Sequence, residues 1–122
     1  MDEIKKTINA LEALRTPAVI DELELQNMVE AALLQNNIEY KREARCGKGC
    51  RVDFLLSAGV AVEVKARRRP YKTLMAQLKR YAACETVTAI IFVTNDTAHL
   101  PSSINEKPLI YLNLKRLWGV AI

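Results

Sequence analysis

The chain has 122 residues, half of them hydrophobic and about a quarter charged, which suits one globular domain with one core. No apolar run approaches the roughly 20 residues that span a bilayer. The opening segment MDEIKKTINALEALR carries acids and lacks the apolar stretch of a secretory signal, so a soluble cytosolic protein is expected, in the host-cell cytoplasm if the chain is phage-encoded.

The net charge of +4 is unevenly spread: residues 1–30 carry seven acids and three bases, and residues 31–122 carry seven acids and fifteen bases. Lys41, Arg42, Arg45, Lys48 and Arg51 form one basic group, and Lys65, Arg67, Arg68, Arg69 and Lys72 another, followed by Lys79 and Arg80. Two such groups flanking one pair of strands are the electrostatic footprint of a polyanion partner.

In chain order, Ile4, Ile8, Leu11 and Leu14 recur at helical spacing and predict a helix over 3–14. Thr16-Pro17 ends it. A second helix is expected over about 18–36, with Leu25, Met28, Val29, Ala32 and Leu33 on one face. Three strands follow, at about 38–45, 51–57 and 60–66, with turns at Gly47-Lys48-Gly49 and Ala58-Gly59. A helix is expected after Pro70, over 71–84. The β-branched run VTAIIFVT, 87–94, reads as a central strand covered on both faces, and LIYLNL, 109–114, as a last strand. The order ααβββαβ(α)β predicts an α/β fold, a mixed central sheet flanked by helices. One domain over 1–122 is expected: a helical extension over 1–17, a core over 18–95, and a C-terminal strand and cap over 96–122.

Cys46, Cys50 and Cys84 are an odd number for a disulfide framework. Two of them with the distant His99 do not make a convincing zinc set, so the thiols read as structural or incidental.

The strands at 51–57 and 60–66 pose the chemical question, because both are apolar yet carry Asp53, Glu63 and Lys65. Charges are costly to bury without partners. Strand alternation puts Asp53, Leu55 and Ser57 on one face, opposite Val52, Phe54 and Leu56, and puts Ala61, Glu63 and Lys65 on one face. A two-residue turn at Ala58-Gly59 leaves Asp53 on the wrong face. A three-residue loop Ala58-Gly59-Val60, or a bulge, brings it round and pairs it with Lys65. One of those two is predicted. Two converging carboxylates repel unless a cation sits between them, and Mg²⁺ or Mn²⁺ with oxygen ligands fits. The simpler alternative is an Asp53–Lys65 salt bridge, which leaves Glu63 unexplained.

Asp53 followed by Glu63-Val64-Lys65, between these helices, resembles the PD-(D/E)xK nuclease superfamily, with its restriction-endonuclease-like αβββαβ core. Residue 52 is Val where the motif has proline. The helix over 71–84 carries Gln77 and Tyr81 at i and i+4, which resembles the Q-x-x-x-Y element of RecB-type nucleases; the cysteine spacings do not match the four cysteines of relatives with an iron–sulfur cluster, and none is expected. The resemblance implies a divalent-metal-dependent DNA nuclease. Asp53, Glu63 and the Val64 carbonyl would hold Mg²⁺ or Mn²⁺, and Lys65 would act on the attacking water. A helix acid, Glu22 before Glu30 or Glu24, would serve a second metal or its water. Gln77, Tyr81, Arg67, Arg68, Arg69, Lys72, Arg80, Arg45 and Lys48 would grip the DNA backbone. The short spacing and small size are similar to phage-type junction-resolving endonucleases, so a structure-dependent or nonspecific enzyme is expected, with a homodimer as a way to cover more duplex. The rival readings are a DNA-binding module that does not cut, an RNA-directed nuclease, and a structural interaction protein.

Overall fold

The computed structural model describes residues 2–17 and 19–114; the expected cap beyond residue 114 and Ala18, where the second helix was expected to begin, lie outside the described residues. The elements are α1 (Asp2–Glu12), α2 (Glu22–Gln35), β1 (Tyr40–Gly47), β2 (Cys50–Leu56), β3 (Val60–Lys65), α3 (Tyr71–Ala82), β4 (Ala89–Thr94), β5 (Ser103–Ile104) and β6 (Lys107–Asn113). They form an α/β fold around a mixed sheet of order β1-β2-β3-β4-β6-β5. β1, β2 and β3 are antiparallel neighbours, and β3, β4 and β6 run parallel. None of the described helices is long and apolar enough to cross a membrane.

Local chemistry sets the bounds of α2. It starts later than its periodicity suggests because Asp21 caps it: the Glu24 N–H donates to Asp21 Oδ1 at 2.8 Å and the Asp21 N–H donates to Glu24 Oε1. It ends at Gln35, capped by Asn36, and the next residue, Asn37, has a φ of 56° that lets the Ile38 N–H reach back to the Leu33 carbonyl at 2.9 Å. The helix expected in parentheses before the last strand does not form. The Tyr111 hydroxyl accepts from the Ala98 N–H and donates to the Asp96 carbonyl, stitching that segment into a loop, and the short strand β5 follows.

The sheet has a core on each side. Leu25, Val29 and Leu33 of α2 and Leu11 of α1 pack on Phe54, Leu56, Val62, Val64 and Ile91. Leu74, Leu78, Tyr81 and Ala82 of α3 pack on the other face, against Val52, Ala61, Ile90 and Phe92. β4 is buried along its whole length, as a central strand covered on both faces must be.

Phe54 lies opposite Val62 and Leu55 opposite Ala61, so the β2–β3 loop is Ser57-Ala58-Gly59, one residue earlier than the expected loop. Face parity is as the site requires, but extending this register sets Asp53 against Glu63 rather than Lys65. Gly59 is obligatory there: its φ is +86°, and a Cβ would stand 2.5 Å from the Thr86 carbonyl oxygen.

Simple alternation fails in one place. Val52 packs on the α3 side, not beside Phe54 and Leu56. Across the β1–β2 ladder from Asp53 stands Glu43, with φ 51° inside a strand. A left-handed residue turns the strand about its axis, so side chains beyond it change face. Tyr40 accordingly packs with the α1–α2 core and Ala44 with the α3 core. Asp53 sits at this twist.

Candidate active site

Asp53 and Glu63 face each other where β2 and β3 part. The Val64 N–H donates to Asp53 Oδ2 at 2.8 Å, and the Asp53 N–H donates weakly to Glu63 Oε1 at 3.4 Å. Each acid thus takes a backbone donor from the other strand, beyond the last paired residues of the ladder. Lys65 Nζ lies 3.0 Å from Glu63 Oε2. The salt bridge therefore forms on Glu63, not between Lys65 and Asp53.

Burial dominates the electrostatics. Glu63 is 1% exposed, and its carboxyl is pushed up to about 7, first by burial and then by the Asp53 charge, against the pull of Lys65. Asp53 is also raised, again chiefly by burial; the Val64 N–H and Lys65 oppose this, and the charges of Glu22 and Glu43 reinforce it. Tyr81, 3% exposed, is raised by burial and by the facing carboxylates of Glu63 and Asp53. Glu22 and Glu43 have arginine partners of their own, so Asp53 and Glu63 are left with the partly buried Lys65 as the cation that lowers both carboxyls.

The three helix acids take different places. Glu24 is spent in the α2 cap. Glu30 accepts from Tyr40 and Arg42 at 2.7 and 2.8 Å, away from Asp53. Glu22, at the first turn of α2, pairs with Arg69 at 2.6 Å and is the helix acid whose charge reaches Asp53.

The basic residues divide likewise. Lys65, Arg69, Lys72, Thr73, Gln77 and Arg80 line a groove of about 580 Å³ running along α3 from the lysine. Gln77 and Tyr81 do share a face of α3, but Tyr81 turns into the carboxylates while Gln77 lines the groove. Arg67 and Arg68 lie with Arg69, Tyr71 and His99 around a second cavity of about 550 Å³, floored by Leu74 and Phe92. Arg69 is engaged by Glu22 and by the Arg67 carbonyl, so it links the helix acid to the groove instead of standing as a free cation. Arg45 and Lys48 are exposed on β1 and its turn and line neither cavity.

Two features of the site have weak sequence signals. Glu43 is an unremarkable surface acid until its left-handed backbone places it near Asp53. Cys84 joins Cys46 and Cys50 although it is far from them in sequence: Cys46 Sγ is 2.6 Å from Cys50 Sγ and 3.3 Å from Cys84 Sγ. His99 lies on the arginine cavity, apart from the cysteines.

No curated protein and no solved structure matches this chain. A family model does match, over residues 4–99, from α1 to the loop after β4 and so including every acid, lysine and cysteine just described: the chain belongs to the family described as a domain of unknown function, DUF8371.

Proposed function

We propose that this domain is a divalent-metal-dependent phosphodiesterase acting on DNA, of the PD-(D/E)xK type, and that it cuts in a structure-dependent or nonspecific manner. The observation that carries the reading is Glu63: a carboxyl 1% exposed, set against Asp53 across two parting strands, with Lys65 at 3.0 Å. A buried and a half-buried acid with perturbed titration beside a basic groove are the arrangement that metal-assisted phosphoryl chemistry needs. The succession of α2, β1, β2, β3, α3 and β4 supports the same reading.

The residues present fit Mg²⁺ or Mn²⁺. Asp53 and Glu63 are hard oxygen donors whose mutual repulsion in a buried setting a divalent cation would relieve. They would hold the ion with the Val64 carbonyl, and Glu22 would serve a second ion or its water. When bound, the ion polarises the scissile phosphate and lowers the pKa of a coordinated water. Lys65, 3.0 Å from Glu63, would orient the attacking water or neutralise the phosphate. Tyr81 holds the Glu63 carboxylate in place. Gln77, Lys72 and Arg80 seat the backbone along α3, with Arg67 and Arg68 on the adjoining cavity; such contacts position DNA without reading its sequence.

The test is cleavage of supercoiled plasmid, linear duplex and a four-way junction in Mg²⁺, Mn²⁺ or EDTA, with wild type beside Lys65→Ala and Asp53→Asn. Metal-dependent cutting lost in both variants is the expected result, and the preferred substrate then sets the subclass. No cutting of any substrate, with salt-sensitive binding intact in both variants, would instead identify a binding module.

A further inference from the structure

We propose that Cys46, Cys50 and Cys84 form a three-thiolate site for a thiophilic metal ion, zinc under reducing conditions, separate from the carboxylate site and independent of the nuclease reading. The three sulfurs lie within 4.8 Å of one another, drawn from a hairpin and a distant segment that the chain must fold to bring together. Cys46 and Cys50 come from either side of the β1–β2 turn, and Cys84 from just beyond the end of α3. Tetrahedral zinc with bonds near 2.3 Å needs sulfurs about 3.8 Å apart. The observed 2.6 and 3.3 Å separations reach that value with shifts on the order of 1 Å, within the play of a χ1 adjustment.

The surroundings are shaped for this approach. A Cβ on Gly47 would stand 2.9 Å from Cys84 Sγ, so the glycine after Cys46 leaves the space into which the third sulfur enters. The Cys84 carbonyl is held by Lys107 Nζ at 2.8 Å and the Cys46 carbonyl by Thr86 Oγ1 at 3.0 Å; both anchor backbone, and the one contact of a sulfur outside the trio is the 3.4 Å bond from the Cys84 thiol to the Arg80 carbonyl, which a metal-bound thiolate would give up. Cys46 and Cys50 are buried, while Cys84 is half-buried, so an ion would be closed on one side and open on the other. No fourth His, Cys, Asp or Glu joins the group among the described residues, and the remaining position of a four-coordinate ion falls to water or a small exogenous ligand. A divalent ion on three thiolates carries one net negative charge, which Arg80 and Lys107 are near enough to offset.

The site also has a structural consequence. Cys50 is three residues before Asp53, and Cys84 is three after Tyr81. A bound ion would tie the strand that carries one carboxylate to the helix that carries the facing tyrosine, in the way that structural zinc couples binding to folding.

The test is titration of the full-length reduced protein with Co²⁺, read by the thiolate-to-cobalt charge-transfer absorption that carboxylate ligands do not give, followed by competition with Zn²⁺. One equivalent of Co²⁺ is expected to develop the band, and one equivalent of Zn²⁺ to abolish it. Cys50→Ser and Cys84→Ser should each lose it, while Asp53→Asn and His99→Ala should keep it in full. Absence of the band in the wild type would overturn the site without recourse to any variant, whether because the thiols ignore metal or because they have paired as a disulfide. A band unchanged in folded Cys84→Ser would overturn the three-thiolate assignment.

Discussion

Two acid–base groups in this domain look alike on paper and differ in kind. On the α2 side, Glu30 accepts from the Tyr40 hydroxyl on one oxygen and from Arg42 on the other, and Arg42 also donates to Asn27 and Gln26 while covering the Phe54 ring. One acid meets two donors, and both partners of the ion pair keep about a quarter of their surface in water. On the α3 side, Asp53 and Glu63 share Lys65, with Glu22 and Glu43 adding further negative charge. The first group is balanced, and its role is to hold β1 against α2. The second sets two carboxylates, a fully buried Glu63 and a half-buried Asp53, against one lysine, a state that folding alone does not favour. Two carboxylates on one lysine in the drier place, and balance in the wetter one, make the second the candidate functional site.

Three experiments would break or sharpen that contrast. The largest expected effect is on turnover. Lys65→Ala and Asp53→Asn should each lower the cleavage rate by roughly 10²–10⁴-fold, the usual worth of a positioned acid–base or metal-activating group. Glu30→Gln should leave the rate within about threefold and instead destabilise the fold by about 1 kcal/mol, the scale of a partly exposed ion pair. Equal losses of rate in all three would remove the distinction.

Next is stability against pH in the metal-free protein. The folded state holds the Glu63 proton more tightly than the unfolded chain does, because its carboxyl titrates near 7 instead of 4.5. Stability conferred by that proton is present below pH 4.5 and is lost as pH rises toward 7, by about 3 kcal/mol at most. Thermal melts in chelator should show this fall, Glu63→Gln should flatten it, and Mg²⁺ at pH 8 should restore stability to wild type but not to Glu63→Gln. A flat wild-type profile would mean that the pair relaxes into water.

The smallest effect concerns the groove. Lys72→Ala and Arg80→Ala should each reduce the slope of log affinity against log salt by about one, weakening DNA binding without changing substrate preference. The same substitution at Arg51, whose 3.9 Å pair with Glu43 is exposed, should do less. Fluorescence anisotropy across a salt series would rank them.

Much of this was legible in the sequence, for identifiable reasons. Period-2 and period-3.6 patterns placed the helices and strands within a few residues, since each element must bury one face. The β-branched run at 89–94 could only be a covered central strand. Asp53, Glu63 and Lys65 stood out because charges inside apolar strands need a reason. The start of α2 was misplaced because periodicity continues through residues that the Asp21 cap excludes from the helix. The Asp53 partner was misassigned because the three-residue loop lies one residue earlier than expected, which moves every pairing of the hairpin by two positions and so preserves face parity.

What the chain by itself determined, then, is which residue types alternate, where turns are permitted, and that Glu63 and Lys65 share one face of their strand. These are properties of neighbours in sequence, and local sterics and hydrophobic burial are enough to set them. Tertiary structure decided the rest: that the charge of Glu22, the helix acid already ranked first, reaches Asp53; that Glu43 takes a left-handed conformation in β1 across from Asp53; and that Cys84 meets Cys46 and Cys50. Each depends on how separate elements pack across the sheet, and the distance between two packed elements is fixed by the shapes filling the space between them, which no spacing along one chain encodes.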